Sequence, residues 1–186
     1  MQDGANTLRS LTLFVSSHFM FNVLGKLQSE ILDGDKKQAV HTLSDYSKLL
    51  RQACDLASKP TISIKEEGLF LQRYLNLETQ RFAETPFDFE ITGFDSDAIQ
   101  MQPFLLQPLA ELAVLGGLGP AQSKLSISFD SLKSTVLITS DMRNREIPEK
   151  LFTKLEVVQN RLKIFNHQYE ISEMDTRYLQ KVSLSL

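Results

Sequence analysis

Apolar and polar positions along the first third of the chain alternate with the period of an α-helix. Apolar residues recur every three or four positions over residues 6–32 with no proline, and the same pattern resumes over residues 36–57. Residues 33–35, Asp-Gly-Asp, are typical of a turn and predict that the two helices form a hairpin. At about 1.5 Å per residue these helices are too long for one hairpin to cover their apolar faces. We therefore expect two chains to pair as a four-helix bundle, and a charge at Leu24 or Leu27 to weaken that homodimer.

Beyond the hairpin the pattern changes from a third helix to a series of strands. Ser63 and Glu66 match the capping box with which many helices begin, and this helix is predicted to end near Phe82. Alternation of apolar and polar residues then predicts β-strands at FDFEITGF (87–94), KLSISF (124–129), STVLITS (134–140) and YLQKVSLSL (178–186). Residues 105–115 and 149–165 have the helical period and are predicted to form helices between the strands.

Helices and strands that mix without a strict β–α–β alternation favour the α+β class, with one sheet under a few helices. The chain has 186 residues, 42% of them apolar, which is enough for two small hydrophobic cores. We therefore predict a helical domain over residues 1–84 and an α/β sandwich domain over residues 85–186, with the boundary near residues 84–86.

Composition and charge argue against several classes of protein. The chain has 20 Lys and Arg against 23 Asp and Glu with no block of like charge, so neither a nucleic-acid surface nor an anionic-membrane surface is indicated. A single cysteine cannot form an internal disulfide, and with three histidines it makes a poor zinc set, so we expect no metal site and a reducing, cytoplasmic location. The longest apolar stretch, residues 103–118, is interrupted by polar residues and proline, which predicts no membrane span. Whether such a span precedes this chain in a longer protein stays open.

His18 is the first candidate for chemistry, and the residues around it permit two interpretations. It lies among Phe14, Val15 and Phe21 on a predicted helix, and a lone histidine among apolar neighbours is usually a partly buried structural residue. Asn22 follows four residues later on the same helix face, where its amide can hydrogen-bond an imidazole or a phosphoryl oxygen. The pattern alone leaves both interpretations open.

The remaining histidines and the cysteine carry weaker signals. His41 and His167 have no partner at the spacing of metal ligands or of a catalytic triad, so we interpret them as surface or capping residues. We interpret Cys54 as a small apolar core residue.

Four motifs, in order along the chain, resemble the LytS-type family of sensor histidine kinases. HFMFN (18–22) is similar to the family's acceptor motif P-H-F-x-F-N, with Ser17 in place of the proline. LSDYSKLLR (43–51) resembles the second hairpin helix, and residues 62–82 resemble the linker helix, including its Glu67, Tyr74, Glu78 and Arg81-Phe82 positions. MQPFLLQPLAEL (101–112) resembles the helix that opens the ATP site. The resemblance implies a dimeric phosphotransfer domain with His18 as phosphoacceptor, followed by a GHKL-like ATPase domain.

The departures from the family fall on its ATP chemistry. In the family the ATP-site helix reads LLQPLVENAIKHG, and its glutamate is retained here as Glu111. The asparagine that holds magnesium in the family is Leu112, and the lysine and histidine positions are Leu115 and Gly116. An apolar side chain cannot replace an oxygen ligand of a hard cation. We expect no bound magnesium, and without the asparagine we interpret Glu111 as a solvated helix residue.

The nucleotide-binding turns of the family are altered as well. The adenine-binding DNGxG corresponds to DMRNR (141–145), which keeps Asp141 and has neither glycine. The later glycine-rich turn corresponds to residues 152–157, and no glycine occurs after Gly119. Backbone that wraps a triphosphate brings its N–H groups close and often needs positive φ, which favours glycine. We therefore expect a pseudo-ATPase that binds no ATP cofactor.

Three functions are compatible with these residues. The first is a histidine kinase-like signalling protein that has lost ATP chemistry and passes a phosphoryl group through His18 to the aspartate of a response-regulator receiver domain, whose own acidic pocket supplies Mg²⁺. The second is an active histidine kinase with an atypical ATP site. The third is a non-catalytic module that binds a regulator or pairs with an active histidine kinase. Retention of both His18 and Asn22 favours the first; the input signal, the regulator and the direction of phosphate flow stay open.

Overall fold

The computed structural model describes residues 17–81, 87–117, 124–141, 156, 158–160, 162–164, 166–174 and 177–183. Its first two elements, α1 (Ser17–Leu32) and α2 (Lys36–Ala57), form the predicted hairpin, and α2 has the predicted bounds. Residues 6–16, which the sequence assigns to the first helix, lie outside the described residues. Gly34 adopts φ 81° in the turn, where a glycine is favoured. Asp35 then caps α2 by accepting a hydrogen bond from the backbone N–H of Gln38 at 3.0 Å.

The hairpin is held together by one buried stripe on each helix. On α1 the buried positions recur at helical spacing, at Phe19, Val23 and Leu27. Near the turn the buried carboxylate of Glu30 accepts a hydrogen bond from the hydroxyl of Thr42 on α2 at 3.1 Å. Lys26 lies 3.0 Å from the same carboxylate oxygen, so this buried acid is paired with a cation.

Helix α3 (Ile64–Arg81) follows the short strand β1 (Ile62–Ser63), and it begins with the predicted capping box. The backbone N–H of Ser63 donates to Oε2 of Glu66 at 2.9 Å, and the backbone N–H of Glu66 donates to Oγ of Ser63 at 3.1 Å. Strand β1 pairs antiparallel with β3 (Gln100–Met101). Helix α3 contacts both helices of the hairpin, the main sheet and the next helix.

Five strands form the main sheet, in the order β2-β4-β5-β7-β6. Its strands are β2 (Asp88–Thr92), β4 (Lys124–Asp130), β5 (Thr135–Asp141), β6 (Gln168–Met174) and β7 (Arg177–Ser183). Among the strands that the structure describes, only β2 and β4 pair in parallel, and helix α4 (Gln107–Gly117) lies between them in the chain. Helix α4 packs on β5 and β7. The α+β class and the four predicted strands are confirmed, whereas β6, β1 and β3 were not predicted.

The face of the sheet that α4 covers is apolar, as the alternation of its strands requires. Every second residue of β4 is buried, and the same alternation continues on β5 through Val136 and Ile138. Leu109 and Ala113 are among the α4 side chains buried in this core. Within the predicted helix at 149–165, the described residues 156, 158–160 and 162–164 are helical.

The expectation for Cys54 is wrong, and of the two interpretations of His167 the structure supports the cap and not the surface position. Cys54 is exposed on α2 and not a core residue, because the buried stripe of this helix runs through Ala53 and Leu56 instead. His167 is buried, with 8% of its surface exposed, and its backbone N–H donates to the carbonyl of Leu162 at 2.8 Å. It therefore ends the helical segment from inside the core. His41 is exposed on α2, as expected.

Candidate functional site

The predicted acceptor residue lies at the start of helix α1. His18 is in its first turn and Asn22 lies one turn further on, half-buried. At about 100° per residue, positions 18, 22 and 25 share one face of the helix, whereas Phe19 and Val23 occupy another. The His18 side chain lies outside what the structure describes. Phe19, the next residue of the motif, is buried at this point of α1.

Aromatic rings fix the helix next to position 18. The ring of Phe19 lies 5.0 Å from that of Tyr74 on α3 and 6.1 Å from that of Tyr46 on α2, measured between centroids. The hydroxyl of Tyr74 donates to Oε1 of Glu78 at 3.1 Å, and both residues are buried. A buried hydroxyl paired with a carboxylate is a charge-assisted hydrogen bond. The first turns of α1 are therefore packed against two other helices.

Helix α4 carries the retained glutamate, and its environment differs from the one expected. Glu111 is buried and not solvated, because α4 is covered on the side that carries it. Nε2 of Gln107, one turn earlier, lies 3.5 Å from Oε2 of Glu111, which is a long hydrogen bond. A buried carboxylate among apolar residues is the kind of group that requires partners inside the protein.

The neighbouring position does not fit a nucleotide-bound metal. Leu112 is buried in the core and offers no oxygen to a magnesium ion. Leu115 is half-buried, and Gly116 lies in the last turn of α4. Asp141 is the last residue of β5, and its backbone lies opposite that of Arg177 on β7. Its side chain is not described. Residues 142–155 lie outside the described residues, and they hold most of the two segments, 141–145 and 152–157, that correspond to the nucleotide-binding turns of the family.

A second buried carboxylate joins α3 to α4, and its partner was not predicted. Glu67 is 0% exposed, and its two oxygens accept hydrogen bonds from the backbone N–H groups of Phe104 at 3.0 Å and Leu106 at 2.9 Å. The sequence favours Glu66 and Glu67 as helix caps, and Glu67 does cap a helix, but that helix is α4, which the local pattern did not identify. Its spacing from Phe70, Leu71 and Tyr74 placed an acid on the apolar face of α3. A polar residue on such a face is the signal that could have identified it.

The part of the chain that the structure describes contains neither a cluster of metal ligands nor a helix that could span a membrane. Among those residues, no group of three or more His, Cys, Asp or Glu is placed to hold a metal ion. No helix within the described ranges is both long enough and apolar enough to cross a bilayer.

Residues 6–86 match the family model of histidine kinases, which covers the hairpin and α3. The chain is 29% identical to the sensor protein LytS of Oceanobacillus iheyensis over 77% of its length and 25% of that protein. It is 28% identical to the sensor histidine kinase YpdA of Escherichia coli over 88% of its length and 30% of that protein. The chain thus spans between a quarter and a third of the length of these relatives.

Solved structures share the fold across nearly the whole chain. A bacterial phosphotransferase superposes with a TM-score of 0.57 at 11% identity, covering 97% of this chain and 95% of that one. The histidine kinase domain of a blue-light activated kinase from Erythrobacter litoralis superposes with a TM-score of 0.53 at 10% identity, covering 91% and 95%. At these identities the likeness concerns the fold alone.

Proposed function

We propose that this histidine kinase-like chain of a two-component system carries a phosphoryl group on His18 and exchanges it with the aspartate of a response-regulator receiver domain, without using ATP itself. One contrast carries the proposal. The acceptor motif keeps HFMFN at the start of α1, with Ser17 in place of its proline, within the part that matches histidine kinases. The position that holds magnesium in the family is instead Leu112, a core residue.

The transfer needs little from the chain besides a nucleophile held in place. An unprotonated imidazole nitrogen of His18 forms a bond to phosphorus, while the bond from phosphorus to the aspartyl oxygen of the receiver breaks and the aspartate leaves as a carboxylate. The receiver's own acidic pocket supplies Mg²⁺ for this step. Asn22 lies on the face of position 18, where its amide can orient the ring or contact a phosphoryl oxygen.

The fold of the second domain is compatible with phosphoryl transfer at His18 that uses no ATP bound by this chain. One of the solved proteins with the same fold is itself called a bacterial phosphotransferase, and the superposition extends over 97% of this chain. The sheet and α4 can therefore serve as a scaffold for the acceptor helix. We assign no bound ATP and no catalytic role to Glu111 or Asp141.

The exposed apolar residues of the hairpin favour a homodimer. Helix α1 exposes them at spacings of three and seven, the spacing of a coiled-coil seam, and α2 at a spacing of three: Phe21, Leu24 and Ile31 on α1, and Val40 and Leu43 on α2. Such a stripe is unfavourable in water and is covered when two hairpins pair as a four-helix bundle. Leu24 lies on this stripe, whereas Leu27 is buried within its own chain. Pairing with an active histidine kinase through the same stripe is the alternative.

The proposal is tested by offering the purified chain a phosphorylated receiver domain and following the label. We expect an acid-labile, base-stable label on the wild type, because a phosphoramidate hydrolyses readily in acid. His18→Gln should abolish the label while leaving the circular dichroism spectrum intact. His41→Gln, which changes an exposed histidine of α2, is the matched control and should keep it. Label that persists in His18→Gln would contradict the proposal. Loss of the fold in that variant would make His18 a core residue and favour the non-catalytic module.

A further inference from the structure

The start of helix α3 is attached to the sheet side of the molecule by its backbone. The N–H of Ile64 donates to the carbonyl of Ile99 at 2.9 Å, and the N–H of Lys65 donates to the carbonyl of Ser96 at 3.3 Å. The first N–H groups of a helix have no partner within it, so these bonds satisfy donors that water would otherwise bind. Pairing of β1 with β3 extends the same attachment.

One turn further on, Glu67 adds a charged connection to helix α4. Its carboxylate accepts both backbone hydrogen bonds from the turn that leads into α4, at Phe104 and Leu106. Phe104 has φ 57°, a left-handed conformation that a bulky residue adopts only when its surroundings hold it. The ring of Phe104 also packs edge-on against Phe70, with 4.9 Å between centroids.

Next to Glu67 the helix comes unusually close to a loop of the second domain. A Cβ atom added at Gly68 would lie 2.6 Å from Cβ of Phe94, in the loop after β2. Only a glycine permits this approach, because any side chain would push the loop away. Glu67 and Gly68 therefore hold the same turn of α3 against two segments, the turn before α4 and the loop after β2.

The same helix reaches the acceptor end of the hairpin. Tyr74 lies one turn after Phe70 and packs against Phe19, which precedes Asn22 by less than one turn. Side chains four residues apart on a helix lie on one face. One face of α3 thus contacts the turn before α4 through Phe70 and α1 through Tyr74.

We propose that α3 joins the hairpin and the sheet into one rigid body, and that Glu67 is the positioning residue that locks α4 to it. To move the second domain relative to position 18, the chain would have to bend α3, separate Tyr74 from Phe19 or release both hydrogen bonds to Glu67. Releasing them inside the core leaves two buried N–H groups and a buried carboxylate without these partners. The lock does not depend on phosphate transfer. It predicts a fixed arrangement whether or not His18 accepts a phosphoryl group.

The lock is tested by measuring a distance between the two parts in solution. Spin labels are placed on α2 and on the turn between β4 and β5 in a Cys54→Ser background, through Lys48→Cys and Leu132→Cys, both at exposed positions. An excess of unlabelled chain ensures that any dimer carries one labelled copy. We expect one narrow distance distribution from pulsed electron paramagnetic resonance.

Glu67→Gln should broaden that distribution at least about twofold, because the amide places an N–H donor against a backbone N–H and removes one acceptor. Glu66→Gln is the matched control and should leave it narrow, since glutamine also completes a capping box. Gly68→Ala should broaden it through a different contact. A broad distribution in the otherwise unchanged chain would overturn the proposal, even if Glu67→Gln does not fold. A narrow distribution in a folded Glu67→Gln protein would overturn the role of Glu67.

Discussion

Helices α1 and α3 show how differently two helices of one chain can be covered. Helix α3 packs against both the hairpin and the sheet, and its buried acids Glu67 and Glu78 both accept hydrogen bonds. Helix α1 is packed on one side only, and Phe21 and Leu24 remain 66% and 48% exposed. The difference indicates that α3 stabilises the single chain, whereas the open face of α1 is available for a second one.

The largest effect on stability is expected from a substitution in the contact between α3 and α1. Tyr74→Ala removes a fully buried ring that packs against Phe19, so it leaves a cavity between α3 and α1. We expect the free energy of unfolding to fall by about 3–5 kcal/mol in urea titrations. Leu132→Ala, at a position 96% exposed, is the control and should change it by less than about 0.5 kcal/mol. Similar losses in the two variants would mean that α3 does not stabilise the chain as described.

The exposed face of α1 is tested by measuring whether the chain forms a dimer. Light scattering of the wild type should give about twice the chain mass of 21.1 kDa. Leu24→Glu places a charge on the exposed stripe and should raise the dissociation constant of the dimer at least about tenfold, or about 1.4 kcal/mol, without unfolding the chain. Leu132→Glu, away from the stripe, should leave the dimer intact. A wild type that stays monomeric at high micromolar concentration would remove the basis for the four-helix bundle.

We expect acid to destabilise the fold through the buried His167. Burial lowers the pKa of this imidazole below its ordinary value of 6.5. The unfolded chain therefore binds the proton more readily, so the free energy of unfolding should fall as the pH drops below about 6.5. His167→Gln should flatten that part of the pH profile, measured by urea titrations between pH 7.5 and about 5. An unchanged slope in the variant would show that another group is responsible.

The smallest effect is expected at the capping box of α3. The hydrogen bond from Lys59, with those from Ser63, lowers the pKa of Glu66 below its ordinary value of 4.5. Its contribution is present above about pH 4.5 and should be lost as the pH falls through the lowered value. Glu66→Ala should cost about 0.5–1 kcal/mol at neutral pH, and this difference should shrink in acid. A difference that is independent of pH would exclude the carboxylate as its cause.

The elements that the sequence predicted well are those set by local patterns. Helix α2, the turn at Gly34 and the capping box of Ser63 and Glu66 follow from periodicity and from residues a few positions apart. The strands that alternate regularly were predicted for the same reason. Strand β6 was missed, although Tyr169 and Ile171 give it a short stretch of the same alternation.

What could not be predicted depends on distant parts of the chain. Glu67 meets Phe104 and Leu106 across more than 35 positions, and no local pattern specifies such a pair. The burial of Glu111 and His167 likewise depends on which helix or sheet covers them. The acceptor motif itself was recognisable in the sequence, because its residues lie within one turn of α1.

The most direct test of the account compares two phosphoryl donors on the same preparation. One sample receives labelled ATP with Mg²⁺, the other a labelled phosphorylated receiver domain, and both are run beside His18→Gln. We expect label from the phosphorylated receiver domain only, located on His18 and absent from His18→Gln. Label from ATP that depends on His18 would contradict this expectation and identify an active histidine kinase, while the absence of label from both donors would leave His18 without the proposed role.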